Sequence, residues 1–583
     1  MSGYIAYFAE TDFRNKKTKF GIKEEDRARH MYVIGKTGMG KSTLLENLAI
    51  QDIQNGQGVA FIDPHGSTAE KLLEYVPEHR IKDVVYFAPF DRDFPISFNV
   101  MEDVGADKRH LVVAGLMSAF KKIWIDAWSA RMEYILNNIL LALLESPGST
   151  LLGVNRMLID KEYRKQVVDN VTDTSVKAFW NEEYAKYTDR FAQEAAPAIQ
   201  NKVGQFVSNP IIRNIIGQPH SSFDIRDIMD KRKILIMNLS KGKLGEGNTN
   251  LIGSMLVTKI YLAAMSRADV TRGDLKDLPP FYFYVDEFQS FANESFADIL
   301  SEARKYKLSL TITHQYIEQM EDEVRAAVFG NVGTLVSFRV GATDAEILEK
   351  EFAPVFTMDD LVNLDFAQVY LRLMIDGMGS RPFSAKTLPA FPPPAKNYVA
   401  EIIQNCRTTY ASPKEGVEEE IRKWYEPVGP VEPPRERKPR VSSGSDYPRS
   451  DSPREGESRQ RRAPARPFGG ERDSQRRPPR DIPNINYSAQ EEQIHPAEPK
   501  IPKTIPLSEL SPKKTFEGSA HRMGLKEAIE EALKNSQKEN QSVGNQNIGK
   551  AQQVVEEIVH APPPSSAAHP GEIPEDVLRK ILE

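Results

Sequence analysis

The sequence predicts an α/β protein: a mostly parallel sheet, an all-helical insertion, and a long disordered C-terminal tail. Three observations carry this. Residues 31–43 read as an apolar strand, a glycine loop and the start of an amphipathic helix. Compact apolar runs then recur at 58–63, 84–88, 233–240, 280–286, 308–313, 333–338 and 368–374, most of them separated by helical stretches. Between about Asp107 and Gly217 apolar residues recur only at helical spacing, as in Leu111, Ala114 and Met117, and no strand-like run intervenes.

The glycine loop is the most informative stretch. Gly35, Lys36, Thr37, Gly38, Met39, Gly40, Lys41, Ser42 and Thr43 include the spacing G-x-x-x-x-G-K-S. Such a loop wraps a triphosphate because glycine lets the backbone N–H groups converge at a helix start. Lys41 is expected to reach the β/γ-phosphates, and the Ser42 hydroxyl to ligate Mg²⁺. A chance match to the motif is made rare by the flanking strand and helix.

Taken in order, residues 1–30 offer two short strand-like pieces, at 4–8 and 19–22, too short for a separate domain. Together with the glycine loop and the strands at 58–63 and 84–88 they form a first part of the nucleotide domain, residues 1–105. The helical insertion is placed at 106–220. Its apolar run 134–144 is broken by Asn137 and Asn138 and reads as a buried helix. Trp124 and Trp128 are expected in its core rather than on a partner surface. The second part of the nucleotide domain is expected at 221–400, with helices at 251–266 and after Glu287 through Tyr306. A helical extension at 401–430 centres on residues 417–425. Pro-, Arg- and Ser-rich sequence at 431–504 cannot bury enough apolar surface to offset chain entropy and is predicted disordered. Short docking motifs are expected in the tail, 505–583, at 505–510, 525–533 and 573–582.

Composition bounds the rest. The chain has 583 residues, 40% of them hydrophobic and 27% charged, with a net charge of −6. No apolar run reaches the roughly 18 residues of a membrane span, and no signal peptide is evident, so a cytoplasmic location is expected. The single cysteine, Cys406, excludes an internal disulfide and a cysteine-rich metal site. Fourteen basic and seven acidic residues lie between Arg435 and Arg480, a local +7 against −13 elsewhere. Its arginines either contact phosphates or keep a linker solvated. Nucleic-acid binding by the folded part would need a local basic surface.

A phosphate loop alone hydrolyses nothing. Residues 281–287 supply the missing chemistry, an apolar strand ending in two carboxylates. Asp286 at the strand tip is expected to hold the Mg²⁺ through a water, and Glu287 to act as general base on the attacking water. The 245 residues from Lys41 to Asp286 are explained by the insertion. Gln315, at the end of the strand 308–313, would contact the attacking water or γ-phosphate from a neighbouring strand. Arg304 is either a transition-state cation donated to a neighbouring subunit or an ordinary surface arginine.

The order of these motifs, with Ile62-Asp-Pro-His65, Met237-Asn-Leu-Ser240, Tyr284-Val-Asp-Glu-Phe288, Ala303-Arg304 and Thr313-His-Gln315, resembles the HerA/FtsK superfamily. Within it the chain is most similar to the TraG/TraD-type coupling proteins of conjugation and type IV secretion, over roughly residues 19–390. The resemblance implies a RecA-like motor domain with an inserted all-helical domain, assembled as a homo-hexamer that threads DNA using ATP. It implies that Gly40, Lys41, Ser42 and Thr43 bind nucleotide, that Asp286 and Glu287 form the metal and water pair, that Gln315 is the sensor, and that Arg304 acts in trans. Possible partners are a relaxase, a nuclease or secretion-channel proteins, met through the insertion or the tail. Lys241-Gly-Lys243 with Gly245 and Gly247 is a candidate mobile basic pore loop. Three departures stand out: no transmembrane helices, no room for a β-barrel ahead of the glycine loop, and no terminal winged helix.

The leading expectation is thus an ATP-driven DNA translocase of coupling-protein type. A HerA-like DNA-processing motor and a protein-secretion ATPase would keep the same residues. A nucleotide-gated recruitment scaffold would have no need of Glu287. A small-molecule kinase leaves the insertion and the tail unexplained.

Overall fold

The computed structural model describes residues 4–426, apart from 14, 15, 103, 125–127, 188 and 293. The expected linker and tail motifs lie outside the described residues.

An eleven-stranded sheet runs through the molecule. In chain order its strands are β1 (Ile5–Phe13), β2 (Lys16–Lys23), β3 (Met31–Ile34), β4 (Gly58–Asp63), β5 (Val84–Phe87), β6 (Ile234–Asn238), β7 (Phe281–Val285), β8 (Leu308–His314), β9 (Thr334–Ser337) and β10 (Gln368–Arg372). A separate hairpin, β11 (Met374–Ile375) with β12 (Met378–Gly379), precedes the last sheet strand, β13 (Phe383–Thr387). The spatial order is β2-β1-β13-β10-β9-β3-β8-β7-β4-β6-β5. From β9 to β5 every pairing is parallel, and from β9 to β2 every pairing is antiparallel. The short N-terminal strands therefore do not stand apart; they extend the edge of the main sheet through β1 and β13.

Strand register places the site. On β3, Tyr32 and Ile34 face one hydrophobic core while Met31 and Val33 face the other, the period-two consequence of a strand buried on both sides. The Met31 and Val33 face packs against the helix Lys41–Gln54. The Tyr32 and Ile34 face joins a core continuous with the helices that follow β5. Between β5 and β6 the described residues hold helices and no strand, from Arg109–Ile123 to Pro210–Ile216. Helix Ala130–Glu145 is buried on one face, with Tyr134 on the other. Trp124 and Trp128 are half-buried against this core, and the Trp128 indole donates to the Glu133 carboxylate at 2.7 Å.

Three expectations need correction. The C-terminal extension has two helices, Val399–Tyr410 and Lys414–Trp424. The first was hidden because its buried residues, Ile402 and Cys406, are few and its remaining face is polar. The predicted run after Glu287 is shorter, a helix Glu294–Glu302 between two 3₁₀ turns. Lys241 to Gly247 is not an open basic loop. Lys241–Leu244 is a helical turn in which Lys241 donates to the Ser290 hydroxyl at 3.0 Å and Lys243 pairs with Glu70 at 3.1 Å. Among the described residues no helix is long and apolar enough to cross a membrane.

Candidate nucleotide site

The site lies where open parallel sheets bind ligands, at the carboxyl ends of the strands. The ends of β3, β8, β7 and β4 come together there. Ile34 stands opposite His314, Val285 opposite Ile312, and Ile62 opposite Val285. The glycine loop, Asp286 and Gln315, far apart in sequence, become neighbours through this register.

The loop leaves β3 at Gly35 and enters the helix Lys41–Gln54 at Gly40. Gly40 has φ 114°, a conformation that side chains rarely adopt. At Gly35 a β-carbon would lie 2.5 Å from the Phe338 β-carbon, so only glycine fits under β9. The loop is held on both sides: Gly35 N–H donates to the His314 carbonyl at 3.3 Å and Lys36 N–H to the Arg339 carbonyl at 2.8 Å. The Lys41 ammonium is buried and donates to the carbonyls of Gly35 at 2.6 Å and Lys36 at 3.2 Å. Burial lowers its pKa, opposed by the charges of Glu287 and Asp286. Lys36, Thr37, Gly38 and Ser42 are exposed, Met39 is buried, and Gly40 and Thr43 are half-buried.

Opposite the loop stands the acidic pair. The Ser42 hydroxyl donates to Asp286 Oδ2 at 3.3 Å. Asp286 Oδ1 accepts the Thr313 hydroxyl at 2.6 Å and the Glu287 N–H at 3.0 Å. Burial raises the Asp286 pKa, and the neighbouring carboxylates of Asp63 and Glu287 add to that, against the Thr313 hydrogen bond. Glu287 has φ 47°, a strained setting for a side chain, held by the bond from its N–H to the Thr313 hydroxyl at 3.1 Å. Its carboxylate accepts the side-chain amides of Gln289 and Gln315. Gln315 closes the chain of contacts by accepting the Thr37 hydroxyl at 3.0 Å.

Among the described residues no three metal-ligating side chains cluster. Mg²⁺ keeps waters and binds through one or two protein oxygens plus phosphates. The hydroxyl and carboxylate of Ser42 and Asp286 are a hard-oxygen pair of this kind. The charges of Asp63 and Glu287 act on the buried Asp286 carboxylate, negative charge that a divalent cation would offset.

Arg304 is exposed in the 3₁₀ turn Ala303–Tyr306, ahead of β8. Gln315 follows the other end of that strand. Seven strand residues separate the two ends, so Arg304 lies ~20 Å from the glycine loop of the same chain. Its charge bears on His30, which precedes β3 at the same edge. Four residues given no role by sequence reasoning also belong to the site. Thr313 fixes the Asp286 carboxylate and the Glu287 N–H, Gln289 holds the Glu287 carboxylate, Lys122 reaches the same loop from the insertion, and Arg339 donates from Nη2 to the Met39 sulfur at 3.3 Å. The strand-end position of Arg339 was a readable signal. The others have none outside the three-dimensional fold.

Fold and glycine loop together define a phosphate-loop NTPase fold. The sequence profile of the type IV secretion-system coupling protein DNA-binding domain matches residues 17–350. The chain belongs to that family, which puts it among the DNA-binding coupling proteins of type IV secretion. No curated protein matches the chain. Solved structures similar to it include the bacterial conjugative coupling protein TrwBΔN70 in its unbound monoclinic form, at 16% identity and TM-score 0.48, covering 65% of this chain and 89% of that one. The plasmid coupling protein TrwB in complex with ADP and Mg²⁺ gives the same identity and score, covering 65% and 90%. VirB4 of Thermoanaerobacter pseudethanolicus follows at 13% and 0.41, covering 67% and 97%. The family assignment rests on the profile match.

Proposed function

We propose that this protein is an ATP-driven DNA translocase of the coupling type, acting as a homo-hexameric ring that hydrolyses ATP at its subunit interfaces. The observation that carries the reading is the continuous set of contacts Thr37–Gln315–Glu287–Asp286–Ser42. It links the phosphate loop to a base and to a metal-binding oxygen pair, and a binding scaffold has no use for it. Related coupling protein TrwB has been solved with ADP and Mg²⁺, in keeping with the oxygen donors here.

In this reading the loop N–H groups of Gly38 to Thr43 and the Lys41 ammonium hold the β- and γ-phosphates. Lys41 exchanges its two carbonyl contacts for phosphate oxygens. Ser42 and Asp286 would hold Mg²⁺, which when bound would supply positive charge to offset that developing on the phosphates. Glu287 accepts the proton of the attacking water, its carboxylate aimed by the amides of Gln289 and Gln315. Loss of the γ-phosphate is felt by Gln315 and passed to the Thr37 hydroxyl. Arg304 serves a neighbour's site, since its own is out of reach; head-to-tail contacts that close a ring provide this geometry. DNA would be gripped mainly through its phosphates and therefore salt-sensitively.

The test is steady-state ATPase activity without nucleic acid, with single-stranded DNA and with duplex DNA, taking Glu287→Gln as the blank. Stimulation by DNA that vanishes in the variant is expected. Hydrolysis indifferent to every DNA would overturn the DNA-motor reading and leave a protein-directed ATPase.

A further inference from the structure

The loop that follows the acidic strand is fastened from the helical insertion. Helix Arg109–Ile123 ends beside it, and the Lys122 ammonium donates to the Gln289 carbonyl at 2.6 Å and to the Ala292 carbonyl. The Gln289 side chain in turn donates to the Glu287 carboxylate. A second lysine, Lys241, holds the adjacent Ser290 hydroxyl.

Both the loop and the insertion helix rest on one core helix, Glu246–Met265. Gly115 lets the insertion helix approach it closely, since a β-carbon there would sit 2.5 Å from the Thr258 methyl. Gly253 does the same for the Phe291 ring, and the Ser254 hydroxyl donates to the Phe291 carbonyl at 3.4 Å. The two are thus registered to each other within side-chain tolerances, because close-packed helices do not slide by fractions of a turn without clashes.

We infer that Lys122 is a positioning residue through which the helical insertion sets the orientation of Glu287. The inference rests on the hydrolytic reading of the site. Its physical content is a two-bond relay. Lys122 pins the carbonyls of residues 289 and 292, this fixes the backbone from which the Gln289 amide projects, and the amide fixes one oxygen of Glu287. Gln315, just past β8, fixes the other oxygen. A shift of the insertion helix therefore moves one of the two amides that aim the base and leaves the other in place. Whatever binds the insertion would act on turnover rather than on nucleotide affinity, since no bond in this relay touches the phosphate loop. Burial draws the Lys122 ammonium down to about 8, with Lys241 lowering it further and Glu321 opposing. A cation held there against desolvation fits a contact that must reach backbone carbonyls in the interior.

The alternative is that Lys122 only satisfies two carbonyls. A double-mutant cycle on the full-length protein separates the two. Lys122→Met, Gln289→Ala and the double variant are assayed for ATP turnover and for equilibrium binding of a fluorescent ADP analogue, with melting temperature as the folding control. The expectation is that each single change lowers kcat about tenfold, a factor reasonable for misaiming a general base. ADP affinity should stay within about twofold of wild type, and the double variant should be no slower than about twofold below either single one. Unchanged kcat in Lys122→Met, losses that multiply in the double variant, or a fall in ADP affinity matching the fall in kcat would each overturn the relay. Should Lys122→Met not fold, Lys122→Gln takes its place under the same criteria. Wild-type turnover no higher than that of Glu287→Gln would instead sink the hydrolytic reading, and the relay with it.

Discussion

At the scale of single residues, the site holds groups in states that folding alone would not choose. Asp286 is buried beside two other carboxylates, and its pKa is raised. A group raised in the folded state favours folding while protonated and opposes it once pH climbs through the folded pKa. At neutral pH the Asp286 charge therefore works against stability. Asparagine could keep the contacts to Thr313, the Glu287 N–H and Ser42 without the charge. Asp286→Asn should raise the melting temperature by roughly 2 °C at pH 7.5 while abolishing turnover, and the gain should shrink toward pH 4; calorimetry across pH checks it. His30 and His314 give the opposite sign. Burial lowers them to about 4 and about 3 from 6.5. Their contribution is present above pH 6.5 and is lost as pH falls toward those values. His30→Gln should flatten the fall of melting temperature between pH 6.5 and 4.

At the scale of elements, the strand that carries the acidic pair is fixed at both ends. Beyond its far side a buried ion pair joins Arg27, ahead of β3, to Asp52 in the helix Lys41–Gln54, at 2.7 Å. The Tyr284 hydroxyl of β7 bonds the Asp52 carboxylate, and Arg27 lies over the Tyr282 ring at 3.6 Å. This ties the helix that presents the phosphate loop to the strand that presents Asp286. Removing one partner leaves the other charge buried, so Asp52→Ala should cost ~3–5 kcal/mol, measured by denaturant titration. Much of this scale was legible beforehand. Compact apolar runs found the strands and the G-x-x-x-x-G-K-S spacing found the loop, because both depend on near neighbours in the chain. Helix Val399–Tyr410 escaped because only a narrow stripe of it is buried. The turn at Lys241 read as an open loop because its pairing partners, Ser290 and Glu70, lie far away in sequence.

At the scale of the whole molecule, the proposed ring bears on how Arg304 would act. Arg304 lies before β8, at the amino ends of the parallel strands and away from the loop at their carboxyl ends, so the proposed ring is what would bring Arg304 to a nucleotide. Arg304→Ala and Lys41→Ala should each be inactive alone. Mixed rings of the two should regain part of the activity, because some interfaces then pair an intact loop with an intact arginine. A mixture as inactive as its components would refute action in trans.

The amino-acid sequence by itself determined the α/β class, the phosphate loop, the carboxylate pair, Gln315 and the family. The loop and the carboxylate pair are local patterns whose chemistry needs particular residues at fixed short spacings, whereas Gln315 and the family were legible from the order of motifs along the chain. The strand order was decided only in three dimensions, since pairing β3 with β8 and β9 depends on which hydrophobic faces can be buried together. So too were the placing of Gln315 between Thr37 and Glu287, the Thr313 bridge, and the reach of Lys122 from the insertion to the Gln289 carbonyl. These contacts join residues tens to hundreds of positions apart, and no local pattern records them. Tertiary packing brings them within 3 Å or so of one another, the distance at which a hydrogen bond can act.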